Sequence, residues 1–359
     1  MTRPLRAICV AAARPNFMKV KPVLDALEAR EVETILVHTG QHYDAAMSDV
    51  FFDELGLRAP DRHLGTGSGT HAEQTARVML AFEPLVAELE PDWVVVAGDV
   101  NSTLACSLVA AKSPARLAHV EAGLRSRDWT MPEEINRVVT DRISDLLLAP
   151  SPDGVENLVT EGTPSDRIEL VGNVMIDTLL ANRERALARR AAAAHGLTPG
   201  GYGLVTLHRP ANVDSDAVLS GLLDALGRIA SELPLVLPAH PRARANIERL
   251  GCPARLTLID PAGYLDFISL ESEARIVLTD SGGVQEETTA LGVPCLTLRE
   301  NTERPITIEE GTNRLVGLDP EVIVAASRQV LAEPPGPRCP ALWDGNAGER
   351  IASAIISRR

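Results

Sequence analysis

The chain has 359 residues, 45% of them apolar and only 3% aromatic, enough to bury two domain cores built mainly from Ala, Val, Leu and Ile. A formal net charge of −14 argues against a nucleic-acid surface or an anionic membrane as partner, so a phosphorylated ligand would need local cations. Five cysteines without a Cys-x-x-Cys pair (Cys9, Cys106, Cys252, Cys295, Cys339), no apolar run near the ~18 residues of a membrane span and no signal-peptide pattern together predict a soluble, cytoplasmic protein.

Strand and helix patterns alternate, the mark of a parallel α/β architecture. The first predicted strand, residues 7–12, is a small apolar run. It leads into Arg14-Pro15-Asn16-Phe17-Met18-Lys19 and a helix to about residue 29. Pro15 suits a first helical turn, and Arg14 and Lys19 add positive charge where a helix start already favours an anion. Further strands are predicted at 34–38, 93–97, 116–120 and 146–149, with a helix at 72–90 whose Val78, Phe82, Leu85, Val86 and Leu89 share one face. Asp99 follows the strand 93–97, with Ser102 or Thr103 available to cap the next helix. Glu121 follows 116–120, and Glu133 stands at a helix start behind Pro132. Ligands of open α/β sheets bind at the carboxyl ends of strands. Three carboxylates converging there can divide general-acid and general-base work, because burial and like charge push their pKa values apart. His38 and His42 have metal-like spacing but no third ligand, so no metal site is expected.

A strand at 167–171 runs through Gly172 and Asn173 into a charged helix, 174–194. The stretch 195–203 then separates it from a second α/β set with strands at 204–207, 235–237, 256–259, 275–279 and 295–298. Two doubly wound domains are expected, 1–172 and 173–340, with a hinge near Gly172. A C-terminal helix within 341–359 would cross back to the first domain. His208, directly after the strand 204–207, is the best placed of the histidines for proton chemistry; His240 also ends a strand. After the strand 275–279 comes a phosphate cradle. Ser281-Gly282-Gly283 allows a sharp turn, the helix 284–291 points N–H groups at an anion, and Glu286 and Glu287 in its first turn can accept hydrogen bonds from ribose hydroxyls.

Arg14 to Lys19, His38-Thr39-Gly40-Gln41-His42-Tyr43-Asp44, Gly98-Asp99, His119-Val120-Glu121-Ala122-Gly123-Leu124-Arg125 and Pro132-Glu133-Glu134-Ile135-Asn136-Arg137 occur in order. They are followed by Gly172 to Asp177, His208-Arg209, Asp280 to Glu287 and Thr302-Glu303-Arg304-Pro305. With these motifs the chain resembles the non-hydrolysing UDP-N-acetylglucosamine 2-epimerases over nearly its whole length. The resemblance implies a glycosyltransferase-B-like fold, two Rossmann-like α/β domains facing a UDP-sugar cleft, and a homodimer. It implies catalytic roles for Asp99, Glu121, Glu133 and His208 with no metal, nicotinamide or other cofactor. It also implies substrate contacts from Arg14, Lys19, Asp99, Glu121, His208, Phe267, Ser281, Gly282, Gly283, Glu287 and Arg304. The implied reaction is reversible C2 epimerisation of UDP-N-acetylglucosamine to UDP-N-acetylmannosamine by elimination of UDP and its re-addition. A hydrolysing epimerase, a UDP-sugar transferase and a non-catalytic UDP-sugar-binding protein remain open on the same fold. Asn16 stands where many members have Glu, and the Gln41 to Asp44 loop departs from the form associated with substrate activation.

Overall fold

A computed structural model describes residues 3–12, 14–40 and 54–358, with the side chains of Arg14 and Pro15 outside the described set. The Gln41 to Asp44 motif and the Arg14 side chain, both singled out above, therefore lie outside the described residues. The chain forms two compact units, Met1–Leu180 with Ala341–Arg359, and Ala181–Pro340. The division falls inside the helix Val174–Arg189.

In the first unit, β1 (Arg6–Ala11), β2 (Glu33–His38), β3 (Arg62–His63), β4 (Trp93–Ala97), β5 (Arg116–Val120), β6 (Leu146–Ala149) and β7 (Ile168–Leu170) form one parallel sheet in the order β3-β2-β1-β4-β5-β6-β7. In the second, β8 (Gly203–Thr206), β9 (Leu235–Pro238), β10 (Leu256–Ile259), β11 (Ile276–Thr279), β12 (Cys295–Thr297) and β13 (Asn313–Leu315) form a second parallel sheet, β10-β9-β8-β11-β12-β13. Both are doubly wound Rossmann-like sheets. Every residue of β4 and β6 is buried, as expected of strands covered by helices on both faces. Ile8, Val37, Val78, Phe82, Val94 and Leu117 pack together in the first unit. Leu222, Leu226, Leu237, Leu278, Leu296 and Ile323 do so in the second. Each fully buried side chain of this size contributes roughly 1.5–3 kcal/mol.

Local expectations fail where distant contacts take over. The helix expected over 174–194 stops at Arg189, because Arg190 turns left-handed at φ 51°. Beyond it Ala191 and Ala192 are buried with Tyr202 and Leu270, and the Ala191 N–H donates to Ser269 Oγ at 3.2 Å. Neither Ser102 nor Thr103 caps the helix Asn101–Ala110: its N-cap is Val100, Ser102 Oγ lies 2.9 Å from Thr39 Oγ1, and Thr103 Oγ1 donates to Ala97 O at 3.0 Å. Gly282 and Gly283 are the first residues of the helix Gly282–Leu291 instead of a turn before it. Glu286 and Glu287 consequently lie beyond its first turn. Two of the edge strands, β3 and β13, of two and three residues, carry too little pattern to be read locally.

The C-terminal helix Ala347–Ser357 belongs to the first unit and packs on the helix Arg14–Glu28. Asp177 accepts its leading N–H groups, from Ala347 at 3.1 Å and Gly348 at 2.7 Å. Trp343 Nε1 donates to Pro150 O at 3.0 Å just before it.

Candidate active site

Strand order reverses between β1 and β4 in the first sheet and between β8 and β11 in the second. In doubly wound sheets these switch points open a crevice at the carboxyl ends of the strands. The segments after those strands carry Lys19, Asp99, His208 and Ser281, with Glu121 one strand further along.

In the first unit β4 and β5 both end in left-handed residues, Gly98 at φ 70° and Glu121 at φ 71°. The Gly98 N–H donates to Val120 O at 3.1 Å, locking the two strand ends together. A Cβ on Gly98 would lie 3.1 Å from Lys19 Nζ and 3.4 Å from Glu121 Oε2. Glycine therefore lets this turn sit against the buried Lys19–Glu121 ion pair. Glu121 is not a glycine, and its backbone conformation costs on the order of 1–3 kcal/mol. Its N–H and that of Ala122 both donate to Leu148 O, at 3.1 and 3.2 Å, which holds the turn in place.

Asp99 is steered from the helix Pro132–Ile143. Arg137 approaches Asp99 Oδ2 with Nε at 3.0 Å and Nη2 at 2.7 Å, and Asn136 Nδ2 donates to Asp99 O at 2.8 Å. Arg137 Nη1 also donates to Glu134 at 2.8 Å. Burial works against the charge on Glu134, but hydrogen bonds from the Ser126 and Arg127 N–H groups, Ser126 Oγ and Arg137 prevail and hold its carboxyl below the usual range. Glu133, one residue earlier and half-buried, makes no hydrogen bond or ion pair with a described residue. Among the three carboxylates it is the one to which no described cation is fixed. Beneath the site His119 is fully buried, with Nδ1 2.6 Å from Asp141 Oδ1 and Nε2 2.9 Å from Gly98 O. Asp141 also accepts the Gly123 N–H at 3.1 Å and pairs with Arg125 at 2.7 Å, and Arg125 is gripped by Glu161 at 2.8 and 2.6 Å. Burial pushes the Asp141 pKa up, yet His119 and Arg125 bring it below its ordinary value.

In the second unit the organising residue is Asp280, at 0% exposure. It accepts the backbone N–H of His208 at 3.1 Å and of Arg209 at 3.0 Å, and Asn212 Nδ2 at 3.1 Å. His208 Nδ1 lies 2.6 Å from its carboxylate. Burial opposes the Asp280 charge, but the His208 ring and the two N–H groups keep its pKa low. With Nδ1–H committed to Asp280, Nε2 of the 58%-exposed His208 side chain remains for a ligand. At the start of the helix Gly282–Leu291 the Ser281 hydroxyl does not cap, and the Ser281 N–H donates to Thr279 Oγ1 at 2.9 Å. A Cβ on Gly282 would come within 2.7 Å of Arg304 Nη1, so glycine here admits the guanidinium. Arg304 is buried and already paired with Glu286 at 3.0 Å and Glu303 at 3.5 Å. Glu287 is buried too, its pKa pushed up to about 8 by desolvation and then by Glu286. Phe267, on the helix Tyr264–Ser272, is half-buried against the core that includes Tyr202 and Leu204.

Sequence reasoning overlooked the residues that hold these groups: Asn16, whose Nδ2 donates to Ala97 O at 2.7 Å, and Asn136, Arg137, Asp141 and Asp280. Asp280, immediately before the Ser281-Gly282-Gly283 turn, and Asn136 and Arg137, in the motif that begins at Pro132, carried a local signal but no assigned role. A cavity of about 760 Å³ also exists in the first unit, lined by Glu90, Asp92, Trp93 and Arg116 among others. It opens at the amino ends of β4 and β5, the wrong end for the carboxylates. Among the described residues no group of three or more His, Cys, Asp or Glu side chains could hold a metal ion, and no helix is long and apolar enough to cross a membrane.

A family model for UDP-N-acetylglucosamine 2-epimerase matches residues 25–356. The chain belongs to this family. It is 41% identical over 357 residues to the UDP-N-acetylglucosamine 2-epimerase of Methanocaldococcus jannaschii, with 96% of this chain and 97% of the relative covered. It is also 41% identical over 356 residues to the UDP-2,3-diacetamido-2,3-dideoxy-D-glucuronate 2-epimerase of Pseudomonas aeruginosa, covering 98% and 99%. The crystal structure of the M. jannaschii enzyme in complex with UDP-GlcNAc and UDP superposes with a TM-score of 0.89 at 39% identity, over 99% of this chain and 100% of that one. The Neisseria meningitidis UDP-GlcNAc 2-epimerase bound to UDP-GlcNAc gives 0.90 at 30% identity, over 98% and 100%. This family member thus has the fold of the glycosyltransferase-B-like epimerases, two α/β units each built on a parallel sheet.

Proposed function

We propose that the chain catalyses the reversible, non-hydrolysing C2 epimerisation of UDP-N-acetylglucosamine and UDP-N-acetylmannosamine, as a homodimer and without a cofactor. The C2 proton has no carbonyl beside it to acidify it, so direct removal and return is difficult. Elimination avoids the problem. A base takes the C2 proton, the C2–H electron pair forms the C1=C2 double bond, and the C1–O pair leaves with UDP. The resulting 2-acetamidoglucal regains a proton at C2 from the opposite face as a diphosphate oxygen returns to C1.

The observation that carries this reading is the placement of Asp99 and Glu121 after adjacent parallel strands, each fixed by its own cation, Arg137 and Lys19. Glu133, on the helix that supplies Arg137, completes a set able to give and take protons. Negative charge grows on the departing diphosphate, and the N–H groups of the helix Gly282–Leu291, Arg304 and His208 are the groups suited to stabilise it. Arg14 joins them by family resemblance. Phe267 and Glu287 are assigned to the nucleoside, Glu287 to the ribose hydroxyls.

A second substrate is favoured by one observation: the equal identity to the P. aeruginosa relative named for UDP-2,3-diacetamido-2,3-dideoxy-D-glucuronate. The same C2 chemistry applies to both sugars. Proton NMR of each in heavy water with the enzyme tests the reading. UDP-N-acetylmannosamine should accumulate to an equilibrium with deuterium at C2. Epimer with the original proton fully retained would rule out solvent-exchanging elimination, and release of free N-acetylmannosamine would select the hydrolysing reaction. Turnover of the diacetamido sugar alone would reassign the substrate.

A further inference from the structure

His119 lies below the candidate site, and its hydrogen-bond partners determine what it carries. Both ring nitrogens face atoms that only accept. Nδ1 meets Asp141 Oδ1 at 2.6 Å, and Nε2 meets the Gly98 carbonyl oxygen at 2.9 Å. A neutral imidazole has one N–H and one lone pair, so either tautomer would set a lone pair against an oxygen in a site without solvent access. A ring with hydrogen on both nitrogens satisfies both partners. The surroundings balance its charge: Asp141 faces it, and Arg125, which shares Asp141, is paired in turn with Glu161. Next to Gly98, Lys19 is paired with Glu121.

The Gly98 carbonyl belongs to the peptide bond whose nitrogen is that of Asp99. Holding that oxygen fixes the peptide plane from which the Asp99 side chain departs. The following peptide, on the other side of the Asp99 Cα, is fixed by Asn136, whose Nδ2 donates to Asp99 O at 2.8 Å. His119 is also two residues before Glu121 on β5, so one ring ties together the strand ends that carry both carboxylates. We propose that His119 is a positioning residue of this site: a buried imidazolium that donates to Asp141 and to the Gly98 carbonyl, and thereby sets Asp99 and Glu121 relative to the sugar. This deepens the epimerase reading and rests on it. The residue touches no substrate atom in this account, so its loss should act on turnover and not on nucleotide affinity.

The test combines a spectroscopic and a kinetic readout on the full chain. A long-range proton–nitrogen correlation spectrum of histidine-labelled protein near neutral pH, with the His119 signal assigned by its absence in His119→Gln, should show both ring nitrogens protonated. A lone-pair nitrogen at His119 would overturn the proposal. His119→Gln should lower kcat by about ten- to a hundredfold, the effect of a small displacement of catalytic groups, while KM and UDP affinity change less than about twofold. Wild-type kcat in a folded His119→Gln would overturn it. Should His119→Gln not fold, Asp141→Asn serves: it leaves His119 without its anion, and it should give the same kcat-only loss together with one deprotonated ring nitrogen. An Asp141→Asn protein with unchanged turnover would count against the proposal equally. A wild type that epimerises neither UDP-N-acetylglucosamine nor the diacetamido sugar would overturn the epimerase reading and the positioning role with it, whatever the spectrum shows.

Discussion

Asp99 and Glu121 occupy equivalent places after adjacent strands, yet they depend on their partners differently. Glu121 and Lys19 are both buried, so removing one charge leaves the other uncompensated away from water. Asp99 is a quarter exposed, and its cation Arg137 keeps Glu134 as a second partner. Glu121→Gln should therefore lose about 3 kcal/mol of stability as well as about two orders of magnitude in turnover, whereas Asp99→Asn should lose turnover alone. Glu133→Gln should also lose about two orders of magnitude in turnover, with stability unchanged because no described cation depends on it. Arg304→Ala should weaken UDP binding by about 1–3 kcal/mol and also lower stability, because it removes the charge paired with the buried Glu286. Denaturant melts, calorimetric UDP titration and turnover for each variant separate these outcomes. Normal turnover in all three carboxylate variants would move the active site elsewhere. The structure also bounds how readily such roles can be read from residue types: Arg304 and Lys19, both expected to meet the nucleotide, are engaged by glutamates within the protein. Their contact with a ligand would have to share or exchange those partners.

At the scale of elements, the C-terminal helix Ala347–Ser357 is seated by two features. Asp177 accepts the N–H groups of its first two residues, and Gly348 allows close approach to the helix Arg14–Glu28. A Cβ on Gly348 would stand 2.6 Å from Pro22 O and 2.8 Å from Pro22 C, atoms of a helix backbone that cannot rotate away. Gly348→Ala should thus destabilise the protein by about 1–3 kcal/mol, the cost of overpacking, despite the better helix propensity of alanine. Thermal denaturation decides it, and a variant as stable as wild type would show that the two helices can slide apart at no cost. Because the helix Arg14–Glu28 carries Asn16 and Lys19, a shift there would also be felt at Gly98.

For the whole molecule, the two sheets share a pattern in which the strands at the order reversal carry the candidate residues, β4 before Asp99 and β11 before Ser281. Asp99, Glu121 and Glu133 belong to the first unit, and His208 and the helix Gly282–Leu291 to the second. In the proposed reaction, charge on the diphosphate would fall to helix N–H groups and guanidinium. Protein treated with a chelator should keep its turnover, and in sedimentation equilibrium it should run at twice the chain mass. Restoration of lost activity by a divalent ion would contradict the cofactor-free reading, and a monomer fully active at assay concentration would contradict the dimer.

The apolar strands, the glycines at their ends and the acidic residues after them were legible in the sequence, because each depends on a few consecutive residues. The run 93–97 with Gly98 and Asp99 can be read as strand and turn without knowing what lies beside it. Which cation meets which carboxylate could not be read in this way. Lys19 and Glu121 are 102 residues apart, Arg137 and Asp99 are 38, and Asp280 and the His208 N–H are 72. Those pairings exist because β1, β4 and β5 lie side by side and β8 lies beside β11, an order set by packing whole sheets and helices. The same holds for Arg190, whose left-handed turn is dictated by the burial of Ala191 and Ala192 and not by its own propensity. Residue types and their spacing pointed to candidate acid–base and phosphate-binding groups, and the family resemblance implied the reaction. Only the tertiary structure decided which groups are fixed by a partner and that His119 is buried between Asp141 and the Gly98 carbonyl, since burial removes the water that would otherwise satisfy polar groups left unpaired.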